Sequence, residues 1–301
     1  MTIRKTLITA AILAATCLTS SAQGFRMPKI EASVIKPQAV TPQAGVLTHP
    51  WTGKTVFFIG DSISDCNLPA AMGREDSVKR YFVYLSEWLG ITPVVTAISG
   101  LEWNSVERQV EMYKEAVGET VPDAICILLG TNDYNMGVPI GEWYKEIEAE
   151  AEVGNIVPRH MEKRIKRVPE YDMGTLKGRI NIAMKLLKET FPTTPIVILT
   201  PLHRSTFDFA DNNLQPDEFF QNGIGLYLDE YINAIKETST VWSVSVVDLA
   251  AHVNMFPSLD SQAFFYTDPA KDRLHPGALG HKRMAEVIMY QTLGIPARTT
   301  E

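Results

Sequence analysis

The sequence predicts an α/β fold in which a five-stranded parallel sheet is covered by helices on both faces. Three observations predict it. Five short β-rich runs recur along the chain: "TVFFIGD" at 55–61, "PVVTAIS" at 93–99, "AICILLG" at 124–130, "PIVILTP" at 195–201 and "VSVVDL" at 244–249. They are mostly continuous in apolar character rather than alternating, as expected of strands buried on both sides. Helical patterns fill the gaps, and strands that alternate with helices make a parallel sheet with covered faces.

The chain begins before that pattern does. Arg4 and Lys5 precede an apolar run at 7–18, and small residues follow it, with Ser20 and Ala22 at the −3 and −1 positions of a signal-peptidase site. Residues 1–22 therefore read as a signal peptide of an exported protein, periplasmic or secreted, leaving Gln23 as the first mature residue. The run is too short for a permanent membrane span. Two alternatives stand beside this reading: a buried N-terminal helix, and lipid anchoring through Cys17, whose expected upstream leucine is displaced by one position. Residues 23–53 hold four prolines and no long apolar run, and read as an extended arm or linker.

The domain proper is expected over 54–296. After the first strand, 77–89 places Val78, Phe82, Leu85 and Leu89 on one helical face. Residues 175–190 do the same with Leu176, Ile180, Ala183 and Leu187, and 280–294 with Met284, Val287, Ile288 and Leu293. Two gaps exceed what a crossover helix needs. Residues 134–174 contain an acidic part and a basic part, expected as two solvated helical segments of opposite charge. Residues 204–224 are loop-like and aromatic. Both gaps follow strand ends, so both can shape a site.

Composition narrows the chemistry. Apolar residues make up 45% and charged residues 21% of the 301, as in ordinary globular proteins. A formal net charge of −7 argues against a nucleic-acid groove or an anionic lipid surface as the main partner. Cys66 and Cys126 are expected as unpaired thiols, because Cys126 lies within a buried strand, and no Cys/His cluster has metal-ligand spacing.

Right-handed crossovers place the loops after all five strands on one edge of the sheet. Three short blocks fall on it: Ser62 in "GDSIS", Gly100 in "ISG" and Asn132 in "GTND". A fourth, "DRLHPG" at 272–277, precedes the last helix and supplies Asp272 and His275. A serine hydroxyl is a weak nucleophile until a base takes its proton and a third group orients that base. Asp272 and His275 are close enough in sequence for the carboxylate to hold one ring nitrogen while the other faces Ser62. Attack on an ester creates an oxyanion, for which the backbone N–H groups of Ser62 and Gly100 and the Asn132 amide are candidate donors. A duller reading makes Ser62 a helix cap, Asn132 a turn residue and His275 a surface histidine. His203, in "TPLHRS", is a rival base or a rim contact, while His252 and His281 read as ordinary helix residues. Asp61 and Asp133 read as carboxylates that hold loops.

With these blocks the chain resembles the GDSL/SGNH hydrolase family, whose four lettered residues match Ser62, Gly100, Asn132 and His275 in order. The resemblance covers roughly 54–296. It implies a flavodoxin-like three-layer α/β/α sandwich and an acyl-ester hydrolase with Ser62, His275 and Asp272 as catalytic residues. It implies Ser62, Gly100 and Asn132 as the oxyanion hole, and no metal or organic cofactor. Ile63 replaces the leucine of the family's nickname, and the segment before Gly100 lacks an asparagine often found there. The "GDSI" branch, which contains carbohydrate esterases, is the nearest in flavour. The expected function is an exported esterase that removes small acyl groups, acetyl foremost, from a glycan or other small-molecule ester. Trp103, Tyr134 and His203 are candidate substrate contacts, since aromatic faces suit the apolar C–H faces of sugars. The alternatives are a lysophospholipase or thioesterase with the same catalytic residues, and a noncatalytic glycan-binding module.

Overall fold

In the computed structural model, residues 48–66 and 78–299 are described, and all of them belong to one compact unit that starts at Leu47. The expected signal peptide, Cys17 and residues 23–47 of the expected arm lie outside the described residues. The sheet has the strand order β2-β1-β3-β6-β9, parallel throughout. Its members are β1 (Thr55–Gly60), β2 (Thr92–Val95), β3 (Ala124–Leu128), β6 (Ile196–Leu199) and β9 (Ser245–Val247). These are the five runs expected from the sequence, each ending within a few residues of its expected bound.

Continuous apolar character is explained by where alternate residues go. Phe57, Ile59, Ile125, Ile127, Ile196 and Ile198 enter a core shared with α2 (Val106–Val117), α4 (Leu176–Thr190) and α5 (Leu228–Trp242). Their neighbours Val56, Phe58, Cys126, Leu128, Val197 and Leu199 enter a second core, against α1 (Tyr81–Leu89) and α7 (Ala278–Gln291). Neither face of the central strands meets water, so a period of two has nothing to select. The result is a three-layer α/β/α sandwich with the flavodoxin-like strand order, which reverses between β1 and β3.

The fold begins earlier than position 54. Trp51 is fully buried in the second core, and its indole N–H donates to the Ile295 carbonyl at 3.0 Å. His49 Nε2 lies 3.0 Å from the Met289 carbonyl. Residues 48–53 therefore pack on α7 and its continuation instead of extending as an arm.

The 134–174 region departs from expectation more sharply. It begins in the last two residues of a short helix, α3 (Thr131–Asn135), and then forms an antiparallel ribbon of β4 (Tyr144–Val153) and β5 (His160–Pro169) joined by ten residue pairs. The acidic part is not helical because its glutamates, at 146, 148, 150 and 152, recur every second residue. Across the ribbon, Glu146 faces Arg167 and Glu150 faces Lys163, the opposite-charge pairing that stabilises neighbouring strands. The 204–224 region is also more ordered than a loop. β7 (Phe207–Ala210) and β8 (Asn213–Gln215) form a hairpin that joins β10 (Tyr266–Asp268) and β11 (Asp272–Pro276) in a second sheet, of order β10-β11-β7-β8. A short helix, α6 (Leu249–His252), follows β9. Among the described residues no helix is long and apolar enough to cross a membrane.

Candidate active site

The turn after β1 is built to project a side chain. Gln109, on α2, pins the end of the strand by accepting the Gly60 N–H at 2.9 Å and donating to the Gly60 carbonyl at 3.1 Å. The Asp61 carboxylate then accepts the Ile63 N–H at 3.0 Å, and the Asp61 carbonyl accepts the Ser64 N–H at 3.0 Å. These bonds fold residues 61–64 around Ser62. A side chain at Gly60 would place its Cβ 2.8 Å from that of Ser64, so the close approach needs glycine. The Ser62 hydroxyl does not cap a helix; it meets His275.

His275 reaches Ser62 from β11. Pairing of β11 with β7 sets Asp272 opposite Phe207. Asp272 accepts the backbone N–H groups of Leu274 at 3.2 Å and His275 at 3.0 Å, and the His275 ring Nδ1 lies 3.0 Å from one carboxylate oxygen and 3.1 Å from the other. An acceptor at Nδ1 selects the tautomer with its proton there, which leaves Nε2 as an acceptor. Nε2 is 2.9 Å from the Ser62 hydroxyl, which can donate to it. All three residues are at most 5% exposed, so little water competes for these bonds. Burial pushes the Asp272 carboxyl up, but hydrogen bonds from His275 and its charge outweigh burial and hold it below the ordinary carboxylate value.

Two loops complete the arrangement. Gly100 has φ of +81°, a left-handed conformation that favours glycine. Among the described residues, neither the Ser62 nor the Gly100 N–H has a hydrogen-bond acceptor. The Asn132 side chain, on α3, donates one N–H to the Leu101 carbonyl at 2.9 Å and keeps the second. Asp133 holds the two loops together, accepting the Trp103 N–H at 3.2 Å and the Arg179 guanidinium at 2.9 Å. Burial raises the Asp133 carboxyl to about 6 against the pull of Arg179. Burial raises Asp61 further, to about 7, with the Asp133 charge adding to it.

A pocket of about 190 Å³ opens over these groups, and Ser62, Gly100, Asn132 and His275 all line it. The fold thus brings together five of the eight residues singled out in the sequence, Asp272 standing behind His275. The other three lie elsewhere. Trp103 is 1% exposed and Tyr134 is 3% exposed, both in the core beneath the α3 loop, so neither offers a face to a sugar. Tyr134 spends its hydroxyl on the Phe220 carbonyl at 2.8 Å. His203 is paired with Glu218 at 2.7 Å and lines a different pocket, beside Phe219 and Phe256.

The pocket walls come instead from the β7–β8 hairpin, with Phe207, Phe209, Asn213 and Gln215. The Phe207 ring meets His275 edge to face at 5.0 Å and stacks with Phe209 at 6.0 Å. The signal for these residues was the aromatic 204–224 stretch. Which of its side chains face Ser62 depends on pairing with β11, a long-range contact with no local trace.

Residues 58–283 match the GDSL-like lipase/acylhydrolase family. No curated protein matches the chain by sequence. Among solved structures, a protein from Lactobacillus plantarum is 22% identical, with a TM-score of 0.58 over 79% of this chain and 96% of that chain. A possible lipase from Chitinophaga pinensis is 20% identical, with a TM-score of 0.59 over 80% of this chain and 99% of that chain. At these identities the likeness speaks for the shared fold.

Proposed function

The chain belongs to the GDSL-like lipase/acylhydrolase family, and from that premise we propose that it is an exported serine esterase that removes short acyl groups, acetyl foremost, from carbohydrate. The observation that carries the reading is the hydrogen-bonded series Ser62, His275, Asp272 beneath a pocket of about 190 Å³. Pockets for drug-sized ligands occupy roughly 300–1,000 Å³, so this one leaves little room for a long acyl chain.

In this reading, His275 Nε2 takes the Ser62 proton as the oxygen adds to the ester carbonyl carbon. The carbonyl electron pair moves onto oxygen, where the N–H groups of Ser62 and Gly100 and the free N–H of Asn132 meet it. Collapse of this intermediate expels the alcohol, which receives the proton from His275. Water then attacks the acyl-serine by the same route, and the carboxylic acid leaves. Asp272 stays ionised and stabilises the imidazolium; its lowered pKa suits that role. Asp61 stands next to the nucleophile, and its raised pKa limits the negative charge that would oppose attack.

Support for carbohydrate comes from the amides of Asn213 and Gln215 beside the apolar faces of Phe207 and Phe209. Support for export comes from the charged start, short apolar run and small-residue exit of residues 1–22. The test is acetate release from acetylated polysaccharide by the purified protein. Release that disappears in Ser62→Ala supports the reading, and an undiminished rate in that variant overturns it.

A further inference from the structure

Arg204 is 1% exposed, and among the described residues no carboxylate lies within ion-pair distance of its guanidinium. Glu218, Asp61 and Asp217 stabilise its charge from beyond that distance, so the groups in direct contact with the guanidinium matter for keeping it buried. Its Nη1 donates to the Thr131 hydroxyl at 3.3 Å, its Nη2 donates to Gln215 Oε1, and its Cζ lies 5.6 Å from the Tyr134 ring centre. Its Nε is buried with no acceptor. Burial lowers the group to about 10, so it remains charged at neutral pH.

The consequence lies in the amides above it. A guanidinium can only donate, so Gln215 must turn its oxygen toward Arg204 and its nitrogen away. That nitrogen donates to Asn213 Oδ1 at 3.0 Å. Asn213 must therefore present its oxygen to Gln215, and its own Nδ2 donates to no protein acceptor among the described residues. Both amides line the Ser62 pocket. One buried charge thus fixes the orientation of two neutral side chains, and the wall they form includes amide N–H groups with no protein acceptor.

We infer that Asn213 and Gln215 are specificity-determining residues that bind an acceptor oxygen of the substrate, and that Arg204 is the positioning residue that sets their direction. The inference rests on the ester-hydrolase reading for the identity of the ligand, an ester whose alcohol part is a sugar. A hydroxyl, ring or glycosidic oxygen of that sugar accepts the N–H groups. An apolar alcohol leaves them unpaired in a partly dehydrated pocket, which disfavours it.

The test measures binding in the Ser62→Ala protein, where no turnover interferes. A mono-O-acetylated methyl glucoside is titrated and followed by NMR, with Gln215→Glu and Arg204→Met each added to that background. Gln215→Glu keeps an acceptor for Arg204, now charged, but replaces the amide nitrogen, with its one N–H bound to Asn213 and its one free N–H, by an oxygen. Its expected result is a Kd raised about tenfold or more, the scale of one lost hydrogen bond, with no fall in the thermal midpoint. Arg204→Met is expected to raise Kd similarly, and Arg204→Lys, which keeps a charged donor group but not the planar fork, to recover part of the loss. An unchanged Kd in Gln215→Glu overturns the inference, as does absence of sugar-ester binding in the Ser62→Ala parent. The hydrolase reading fails separately: a Ser62 protein that releases no acetate, with Kd values that still follow this pattern, leaves the recognition site standing.

Discussion

Asp61 and Ser62 are sequence neighbours with opposite requirements. The serine needs a neighbourhood that tolerates a new negative charge, and Asp61 is itself an acid, buried at its side. The Asp61 carboxyl titrates at about 7, well above its ordinary value near 3.8. Between these values the folded chain holds a proton that the unfolded chain has lost, so this group's contribution to stability falls as pH rises from about 4 to 7. Asp61→Asn removes that contribution. Thermal midpoints at pH 5 and pH 8 should differ less in the variant than in the unaltered protein; equal differences would show that Asp61 does not carry the raised pKa. Asp272 has the reverse shift, and Asp272→Asn should lower kcat by about a thousandfold or more while KM changes little, because an amide can occupy the place but cannot stabilise the imidazolium. Unchanged kcat would mean that another group orients His275. Ser62, Asn132, Asp272 and His275 were legible in the sequence because their chemistry is unusual for strand ends and their order is fixed. Asn213, Gln215 and Arg204 were not. A buried arginine that aims two amides has no local pattern, only the pairing of β7 with β11.

At the scale of elements, the parallel strands were readable because burial on both faces leaves apolar runs that nothing interrupts. Residues 106–117 and 228–242 also carry a helical period, with Val106, Val110 and Tyr113 on the buried face of the first and Leu228, Ile232 and Ile235 on that of the second. The charge blocks of β4 and β5 suggest helices, whereas the alternation of the glutamates at 146, 148, 150 and 152 fits the ribbon they form. Residues 48–53 differ the other way: the prolines nearby suggest an arm, while Trp51 and His49 anchor the segment. Trp51→Ala should cost about 3–5 kcal/mol in denaturant unfolding, the usual loss for a large buried aromatic. A loss below about 1 kcal/mol would show that the segment is not part of the cooperative unit.

Over the whole molecule, the doubly wound order gathers Ser62, Gly100 and Asn132 from the segments that follow three different strands, because right-handed crossovers put every such segment on the same edge. The second sheet brings His275 across to meet them and lays Phe207 over the site. The space left between is small. Each methylene that fits gains roughly 0.8 kcal/mol, and those that do not fit must stay in water or clash. On p-nitrophenyl esters, kcat/KM should therefore fall between acetyl and octanoyl; a maximum at about eight carbons or more would point to a lipid-directed enzyme with the same catalytic groups. The most direct measurement is mass spectrometry of the protein after reaction with a fluorophosphonate, which labels a serine only when a neighbouring base activates it. One adduct per chain on the peptide that contains Ser62, lost in His275→Ala, is the expected result; no adduct, or an adduct that persists in His275→Ala, would contradict the assignment of Ser62 as an activated nucleophile.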